Sequence, residues 1–93
     1  MSRKASGSFK IKNSCGLHAR PASVFVQEAS VFDAAIAVRN ETSGETADGK
    51  SLMGLLMLAA PCGTVLTITA EGDDAESALE TLGGLVSKGF DEE

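Results

Sequence analysis

The sequence predicts an α+β open-faced sandwich, in which three helices cover one face of a four-stranded sheet. Residues 8–13, 34–39 and 64–70 alternate apolar and polar residues, the period of a half-buried strand, and the segments after Pro21 and from Ala75 carry apolar residues at helical spacing. The predicted order of all elements is strand, helix, strand, strand, helix, strand, helix. Since 93 residues suffice for one hydrophobic core but not for two, we expect a single domain over residues 1–93, with its core at about 8–88 and short flexible termini.

The first strand and the first helix are predicted on either side of a short turn. Residues 8–13 alternate, with Phe9 and Ile11 on one side, so we expect a strand that ends at the turn 13–16. Apolar residues then recur every three or four positions after Pro21. A proline in the first helical turn sacrifices no hydrogen bond, which predicts a helix over about 19–30.

The middle of the chain predicts a hairpin and a short helix. Residues 34–39 alternate again, and a polar turn at 40–44 leads to a short third strand around 45–48. Residues 51–58 are rich in Leu and Met and precede Pro61. We therefore expect a helix that begins near Ser51 and ends before that proline.

The last two elements are a strand over 64–70 and a long helix. The helix shows a continuous apolar stripe, formed by Ala75, Ala78, Leu79, Leu82, Leu85 and Val86. Asp73 and Glu76 have the spacing of a capping box at its start. Gly83 and Gly84 are expected to weaken this helix without removing the stripe.

Composition excludes several classes of protein. The net charge is −5, and the eight Lys and Arg residues are scattered, whereas proteins that bind nucleic acid cluster such residues. No apolar run has the length of a membrane span, and none follows the basic residues near the start as a secretory signal requires. We expect a cytoplasmic protein with no nucleic-acid partner and no membrane insertion.

The two cysteines raise a rival hypothesis. Cys15 and His18 have the spacing of a metal-ligand pair, and Cys62 could supply a third ligand. Structural zinc requires four ligands, and the chain has no second histidine. A thiol enzyme with Cys15 as nucleophile and His18 as base would need a third orienting group. We therefore predict no metal, and free thiols in a reducing compartment.

The segment GLHARPA at residues 16–22 carries the candidate chemistry. It places His18 at the N-terminus of the first helix, where unpaired N–H groups and the helix dipole attract anions. The backbone amides of Ala19 and Arg20 could hold a phosphoryl group on the ring, and the Arg20 guanidinium suits phosphate oxygens. The alternative on spacing alone is that His18 caps the helix and Arg20 is a solvated charge.

Longer stretches of sequence around His18 favour the phosphoryl-binding interpretation over the helix cap. SCGLHARPAS at 14–23 and VQEAS at 26–30 resemble the active-site loop and first helix of the HPr family, the histidine-containing phosphocarrier proteins of the bacterial phosphotransferase system. GKSLMGLLML at 49–58 resembles the family's second helix and regulatory serine motif, and GTVLTITAEG at 63–72 resembles its fourth strand. The resemblance spans roughly residues 8–88.

This resemblance implies a fold and a set of roles. The sheet would be antiparallel with strand order 1-4-2-3. His18 would accept the phosphoryl group at Nδ1, with Arg20 and the Ala19 amide stabilising it. Enzyme I, charged by phosphoenolpyruvate, would be the donor, and an enzyme IIA domain in sugar uptake the acceptor. The protein would be a carrier in a phosphotransfer relay rather than a stand-alone turnover enzyme, with no cofactor, and a monomer.

The resemblance also implies regulation and a docking surface. Ser51 matches the serine that HPr kinase/phosphorylase modifies, although a serine that opens a helix is often only an N-cap. Partners would dock over the loop and the first two helices, with contacts from Cys15, Gly16, Leu17, Val24, Leu52, Met53 and Leu56. A regulatory protein that signals through its phosphorylation state, without sugar transport, is the alternative with the same chemistry.

Overall fold

The computed structural model describes residues 3–91, with the elements in the predicted order. The strands are β1 (Lys4–Lys10), β2 (Ala35–Asn40), β3 (Thr46–Asp48) and β4 (Val65–Glu71). The helices are α1 (Ala19–Ala29), α2 (Leu52–Met57) and α3 (Ala75–Ser87). A 3-10 turn over Gly89–Asp91 follows α3 and buries Phe90. Of the termini that we expected to be flexible, residues 1–2 and 92–93 lie outside the described range.

The four strands form one antiparallel sheet in the order β1-β4-β2-β3, as the resemblance implied. The central strand β4 turns Leu66, Ile68 and Ala70 to the helical side, and all three are buried. Helix α3 packs on β1 and β4, and α1 lies against α2 and α3. The sheet therefore has one covered face and one open face, which confirms the predicted sandwich.

The hydrophobic core lies between the sheet and the helices. Phe25 of α1 is its largest fully buried side chain and is 1% exposed. Burial of such a side chain contributes about 1.5–3 kcal/mol relative to leaving it in water. The apolar stripes predicted for α1 and α3 supply much of the helical side of this core, through Ala22, Phe25, Ala29, Ala75, Ala78, Leu82 and Val86.

The first strand begins and ends earlier than predicted. It covers Lys4–Lys10 instead of residues 8–13 and pairs from Lys4 opposite Glu71 to Lys10 opposite Val65. Its inward positions Ala5 and Gly7 are small, so the apolar alternation that identifies a strand is weak there. Residues 11–13 instead belong to the loop before α1.

The start of α3 also differs from the prediction, because the capping box of Asp73 and Glu76 does not form. The N-cap residue is Asp74, and it makes no side-chain capping bond. Its carboxylate accepts hydrogen bonds from the backbone N–H groups of Asp33 at 2.8 Å and Ala34 at 2.9 Å. These bonds, the one from Asp33 above all, lower the pKa of Asp74. The residue thus joins α3 to the loop before β2.

The paired glycines of α3 have a packing role that the sequence did not indicate. The helix runs without a break through Gly83 and Gly84. A Cβ at Gly83 would overlap the ring of Phe9 on β1, whereas a Cβ at Gly84 would meet nothing within 4 Å. Gly83 therefore lets the helix approach the sheet closely.

Within residues 3–91 no helix combines the length and the apolar character that crossing a membrane requires.

Candidate functional site

His18 is the N-cap residue of α1, as the sequence predicted. Its backbone is extended (φ −92°, ψ −167°), its N–H donates to the Gly16 carbonyl at 3.0 Å, and its carbonyl accepts from the Ala22 N–H at 2.9 Å. The ring makes no side-chain capping bond to the helix, and the residue is partly exposed. The first-turn N–H groups have no partner within a helix, so an anion on the ring would lie close to them.

The loop before His18 is fixed by contacts to the segment after α2. Gly16 is buried and has φ +70°, and a Cβ there would lie 2.5 Å from the Ala60 carbonyl oxygen. The Asn13 side-chain amide donates to the Gly16 carbonyl at 2.6 Å, and the Leu17 N–H donates to the Ala60 carbonyl at 2.9 Å. Only glycine fits this backbone conformation and this close approach. The loop therefore holds His18 at a defined position.

Two of the residues predicted to contact partners lie inside the protein. Leu17 is only 5% exposed and belongs to the hydrophobic core, and Gly16 is buried against the Ala60 region. The sequence indicated that they belong to the loop but not which way they face, because their burial depends on Ala60 and Pro61, which lie 43 to 45 positions later. We assign them a positioning role. Cys15 is exposed and Val24 is half-buried on α1.

Arg20 and Ala19 form the first turn of α1, beside His18. Both residues are exposed. The Arg20 side chain carries a cation two positions after the ring, and guanidinium donors match phosphate oxygens in geometry. The imidazole ring, the backbone amides and the cation thus lie within three consecutive residues of the chain.

Ser51 is the N-cap of α2, and its Oγ accepts a hydrogen bond from the Gly54 N–H at 3.0 Å. The helix after it presents apolar side chains to solvent: Met53 is 69% exposed, Met57 72% and Leu52 41%. Leu56 is half-buried. The sequence analysis did not select Met57, although it lies four positions after Met53 and so on the same helical face. Helix α2 lies against α1, so these exposed side chains belong to a helix that neighbours the one at whose start His18 lies.

The two cysteines are free and exposed. The Cys62 thiol donates to the Lys12 carbonyl at 3.6 Å. Among the described residues, no group of three or more His, Cys, Asp or Glu side chains is arranged to hold a metal ion.

The chain is similar to known phosphocarrier proteins over most of its length. The sequence model described as "PTS HPr component phosphorylation site" matches residues 5–88. The chain is 40% identical to the phosphocarrier protein HPr of Treponema pallidum, covering 90% of this chain and 93% of that protein. It is 43% identical to the multiphosphoryl transfer protein of Vibrio cholerae, covering 97% of this chain but only 23% of the relative. The chain thus spans about a quarter of the length of that larger protein.

Solved structures agree in fold as well as in sequence. HPr-C-His from Thermoanaerobacter tengcongensis superposes with a TM-score of 0.89 at 42% identity, covering 96% of this chain and 98% of that one. HPr from Bacillus anthracis superposes with a TM-score of 0.83 at 43% identity, covering 89% and 96%. The chain belongs to the HPr family of phosphocarrier proteins of the phosphotransferase system.

Proposed function

We propose that this protein is a cytoplasmic phosphoryl carrier of the phosphotransferase system. It accepts a phosphoryl group from phospho-enzyme I on His18 and passes it to enzyme IIA domains in sugar uptake. The observation that carries this proposal is the place of His18, partly exposed at the N-cap of α1 on a loop fixed by Gly16. Family membership supports the choice of these partners.

The transfer needs only the residues of the first turn and the partner. In the neutral ring one nitrogen carries the lone pair that can act as nucleophile, and the family resemblance assigns this role to Nδ1. That lone pair attacks phosphorus, a nitrogen–phosphorus bond forms, and the bond from phosphorus to the donor group of enzyme I breaks with its electrons left on the donor. The amides of Ala19 and Arg20 and the Arg20 guanidinium hold the phosphate oxygens. Transfer to the acceptor repeats these steps with His18 as the leaving group.

Phosphorylation by enzyme I tests the proposal directly. Incubation with enzyme I and phosphoenolpyruvate should add one phosphoryl group to the wild type and none to His18→Ala, as read by intact mass spectrometry. The label should be acid-labile and base-stable, as a phosphoramidate is. Circular dichroism of His18→Ala serves as the folding control. Label that persists in this variant would place the chemistry on another residue.

Ser51 is proposed as a regulatory phosphorylation site for HPr kinase/phosphorylase. It is partly exposed at the start of α2, next to the apolar side chains of Leu52 and Met53. A phosphate there would add about −1.5 to −2 charges to a surface used for docking. Its capping bond to Gly54 is compatible with this role, because phosphate oxygens are also acceptors.

A regulatory role without sugar transport is the second candidate. The HPr-like protein Crh of Bacillus subtilis is 40% identical over 85% of this chain, and a solution structure of it is titled "Catabolite repression HPr". The chemistry at His18 would be the same and only the acceptor would differ. Affinity capture on the phosphorylated protein distinguishes the two, since an enzyme IIA domain supports transport and a transcriptional regulator supports signalling.

We propose that the carrier acts as a monomer. A dimer is described for HPr from Thermoanaerobacter tengcongensis and for Crh, so sedimentation at working concentration is the relevant measurement. A dimer at micromolar concentration would contradict this part of the proposal.

A further inference from the structure

The described residues contain two exposed thiols, and both adjoin the loop that positions His18. Cys15 lies in the turn before the histidine, and Cys62 lies in the segment after α2 against which that turn packs. The phosphotransfer chemistry proposed above uses neither thiol.

The backbone contacts hold together the two segments that carry the cysteines. The Leu17 N–H donates to the Ala60 carbonyl, and a Cβ at Gly16 would lie 2.7 Å from the Cα of Pro61. Cys15 and Cys62 are the chain neighbours of the two residues in this Gly16–Pro61 contact.

The residues before this turn are also bonded to the segment after α2. The Ile11 N–H donates to the Thr64 carbonyl, and the Gly63 N–H donates to the Ile11 carbonyl. The Cys62 thiol donates to the Lys12 carbonyl at 3.6 Å, so its sulfur lies over the start of the turn that carries Cys15. A disulfide requires Cα atoms about 4.4–6.8 Å apart, a separation that the chain neighbours of two residues in contact can reach.

We infer that Cys15 and Cys62 form a reversible intramolecular disulfide by exchange with a small-molecule disulfide such as oxidised glutathione. The thiolate of Cys15 attacks one sulfur of oxidised glutathione, and the first glutathione leaves as its thiolate. The Cys62 thiolate then attacks the Cys15 sulfur of the mixed disulfide, and the second glutathione leaves. Two protein thiols are oxidised, and one molecule of oxidised glutathione is reduced to two molecules of glutathione. Transient bonds of this kind are the usual form of disulfide in reducing compartments.

The bond would act on the site through the loop. It closes the turn that ends two residues before His18 and removes the exposed Cys15 side chain from the surface beside the ring. Oxidation should therefore slow phosphoryl transfer to His18, a consequence that rests on the proposed function. Bond formation itself does not depend on that function.

Titration of the full chain in glutathione redox buffers tests the inference. As the buffer becomes oxidising, both thiols should lose reactivity toward a maleimide together. A monomeric species that has lost two hydrogens should appear, and protease mapping should link the peptide of Cys15 to that of Cys62. Because the second step is intramolecular, its rate should be the same when the protein is diluted tenfold. Dithiothreitol should restore both thiols.

Single variants separate the disulfide from independent oxidation. Cys15→Ser and Cys62→Ser should each retain one thiol that takes up glutathione but should form no internal bond. Wild-type protein that carries two glutathiones, or that links into dimers only, would overturn the inference. The transfer rate from enzyme I is then compared for reduced and oxidised wild type after the redox buffer has been removed, with oxidised wild type that has been reduced again by dithiothreitol as the control. An equal rate for the two wild-type forms would overturn the regulatory consequence, whereas absence of transfer to the reduced protein would count against the proposed function alone.

Discussion

Arg20 is the residue beside His18 whose contribution is easiest to separate from folding. It is exposed on the first turn of α1, so its removal leaves the core intact. A charged hydrogen bond contributes about 1.5–3 kcal/mol, which corresponds to about a 10- to 100-fold change in rate. We expect Arg20→Ala to slow transfer from enzyme I by this factor. Stopped-flow or quenched-flow transfer rates give the measurement.

Arg20→Lys provides the matched control for charge. Lysine keeps the positive charge but loses the planar fork of donors, so its rate should fall between those of wild type and Arg20→Ala. The circular dichroism spectra and urea midpoints of both variants should match the wild type. Transfer to Arg20→Ala at the wild-type rate would show that the backbone amides stabilise the phosphoryl group without the guanidinium.

The sequence predicted the position of His18 at the start of α1 better than it predicted the surroundings of the loop before it. His18 was identified because its type, its place before Pro21 and its strings of neighbours can be read within one stretch of sequence. Gly16 and Leu17 were assigned to the partner surface because their burial depends on Ala60 and Pro61, which only the fold brings near. Local sequence does not encode which side of a loop faces a segment more than 40 residues away.

Among the helices, α3 offers two adjacent glycines that should respond in opposite ways. Replacing a helical glycine by alanine stabilises by about 0.5–1 kcal/mol when the site has room. We therefore expect Gly84→Ala to raise the free energy of unfolding by this amount. Gly83→Ala should lower it by about 1–3 kcal/mol, because the added methyl group overlaps the Phe9 ring. Urea denaturation of the two variants gives the comparison.

Phe9→Leu tests whether the ring is the cause. In that background the methyl group of Gly83→Ala should cost less, so the double mutant should be more stable than the sum of the single effects predicts. Equal effects of the two glycine substitutions would mean that the ring moves aside easily and that Gly83 is not required for the approach of α3 to β1.

The link between α3 and the loop before β2 makes stability depend on pH. Hydrogen bonds from the Asp33 and Ala34 amides hold the pKa of Asp74 below its ordinary value. The stability that the carboxylate contributes is therefore present above its unfolded pKa of about 3.9, and it is lost as the pH falls through the lower folded pKa. Asp74→Asn should be less stable than wild type at neutral pH.

The difference in stability between wild type and Asp74→Asn should disappear in acid. Urea midpoints measured from neutral pH into acid, as Asp74 becomes protonated in the unfolded and then in the folded state, should fall more for wild type than for Asp74→Asn. The neighbouring Asp73→Asn is the control for the general loss of negative charge, and it should follow the wild-type curve. A gap between wild type and Asp74→Asn that stays constant over this range would contradict the role of the carboxylate bonds.

The order of the elements could be predicted from the sequence because the hydrophobic periodicity is clear wherever the inward-facing residues are large. The stripe of α3 and the alternation of β2 are such cases, and both were predicted within about two residues. Strand β1 was displaced because Ala5 and Gly7 provide little apolar signal. The sequence analysis selected Asp73 instead of Asp74, because the spacing of a capping box can be read locally. The bonds of Asp74 to Asp33 and Ala34 instead join residues 41 and 40 positions apart.

On the scale of the whole molecule, a net charge of −5 coexists with an apolar surface on α2. Strand pairing was not derivable from periodicity; the order β1-β4-β2-β3 came from the family resemblance. The docking partners also came from the family resemblance, since the exposure of Met53 indicates a contact surface but not which protein binds it. A negative charge added to the α2 surface would therefore change how strongly a partner docks there.

A phosphate on Ser51 would act through electrostatic repulsion at that surface. At about 6 Å and an effective dielectric constant of about 20–40, two like unit charges repel by about 1.5–3 kcal/mol. Salt reduces this figure, since the screening length is about 8 Å at physiological ionic strength. Half of the repulsion is enough to weaken the docking of enzyme I severalfold.

Ser51→Asp should therefore slow phosphorylation of His18 by enzyme I, while Ser51→Ala should stay within about twofold of wild type in transfer rate, because only the capping bond to Gly54 is lost. Aspartate carries less charge than phosphoserine, so a protein phosphorylated on Ser51 should be slower still. Initial rates at low and at high salt provide the decisive comparison. A mechanism based on surface charge requires that the difference between Ser51→Asp and Ser51→Ala diminish as salt is added. Equal rates for the two variants at both salt concentrations would leave Ser51 with the role of a helix cap alone.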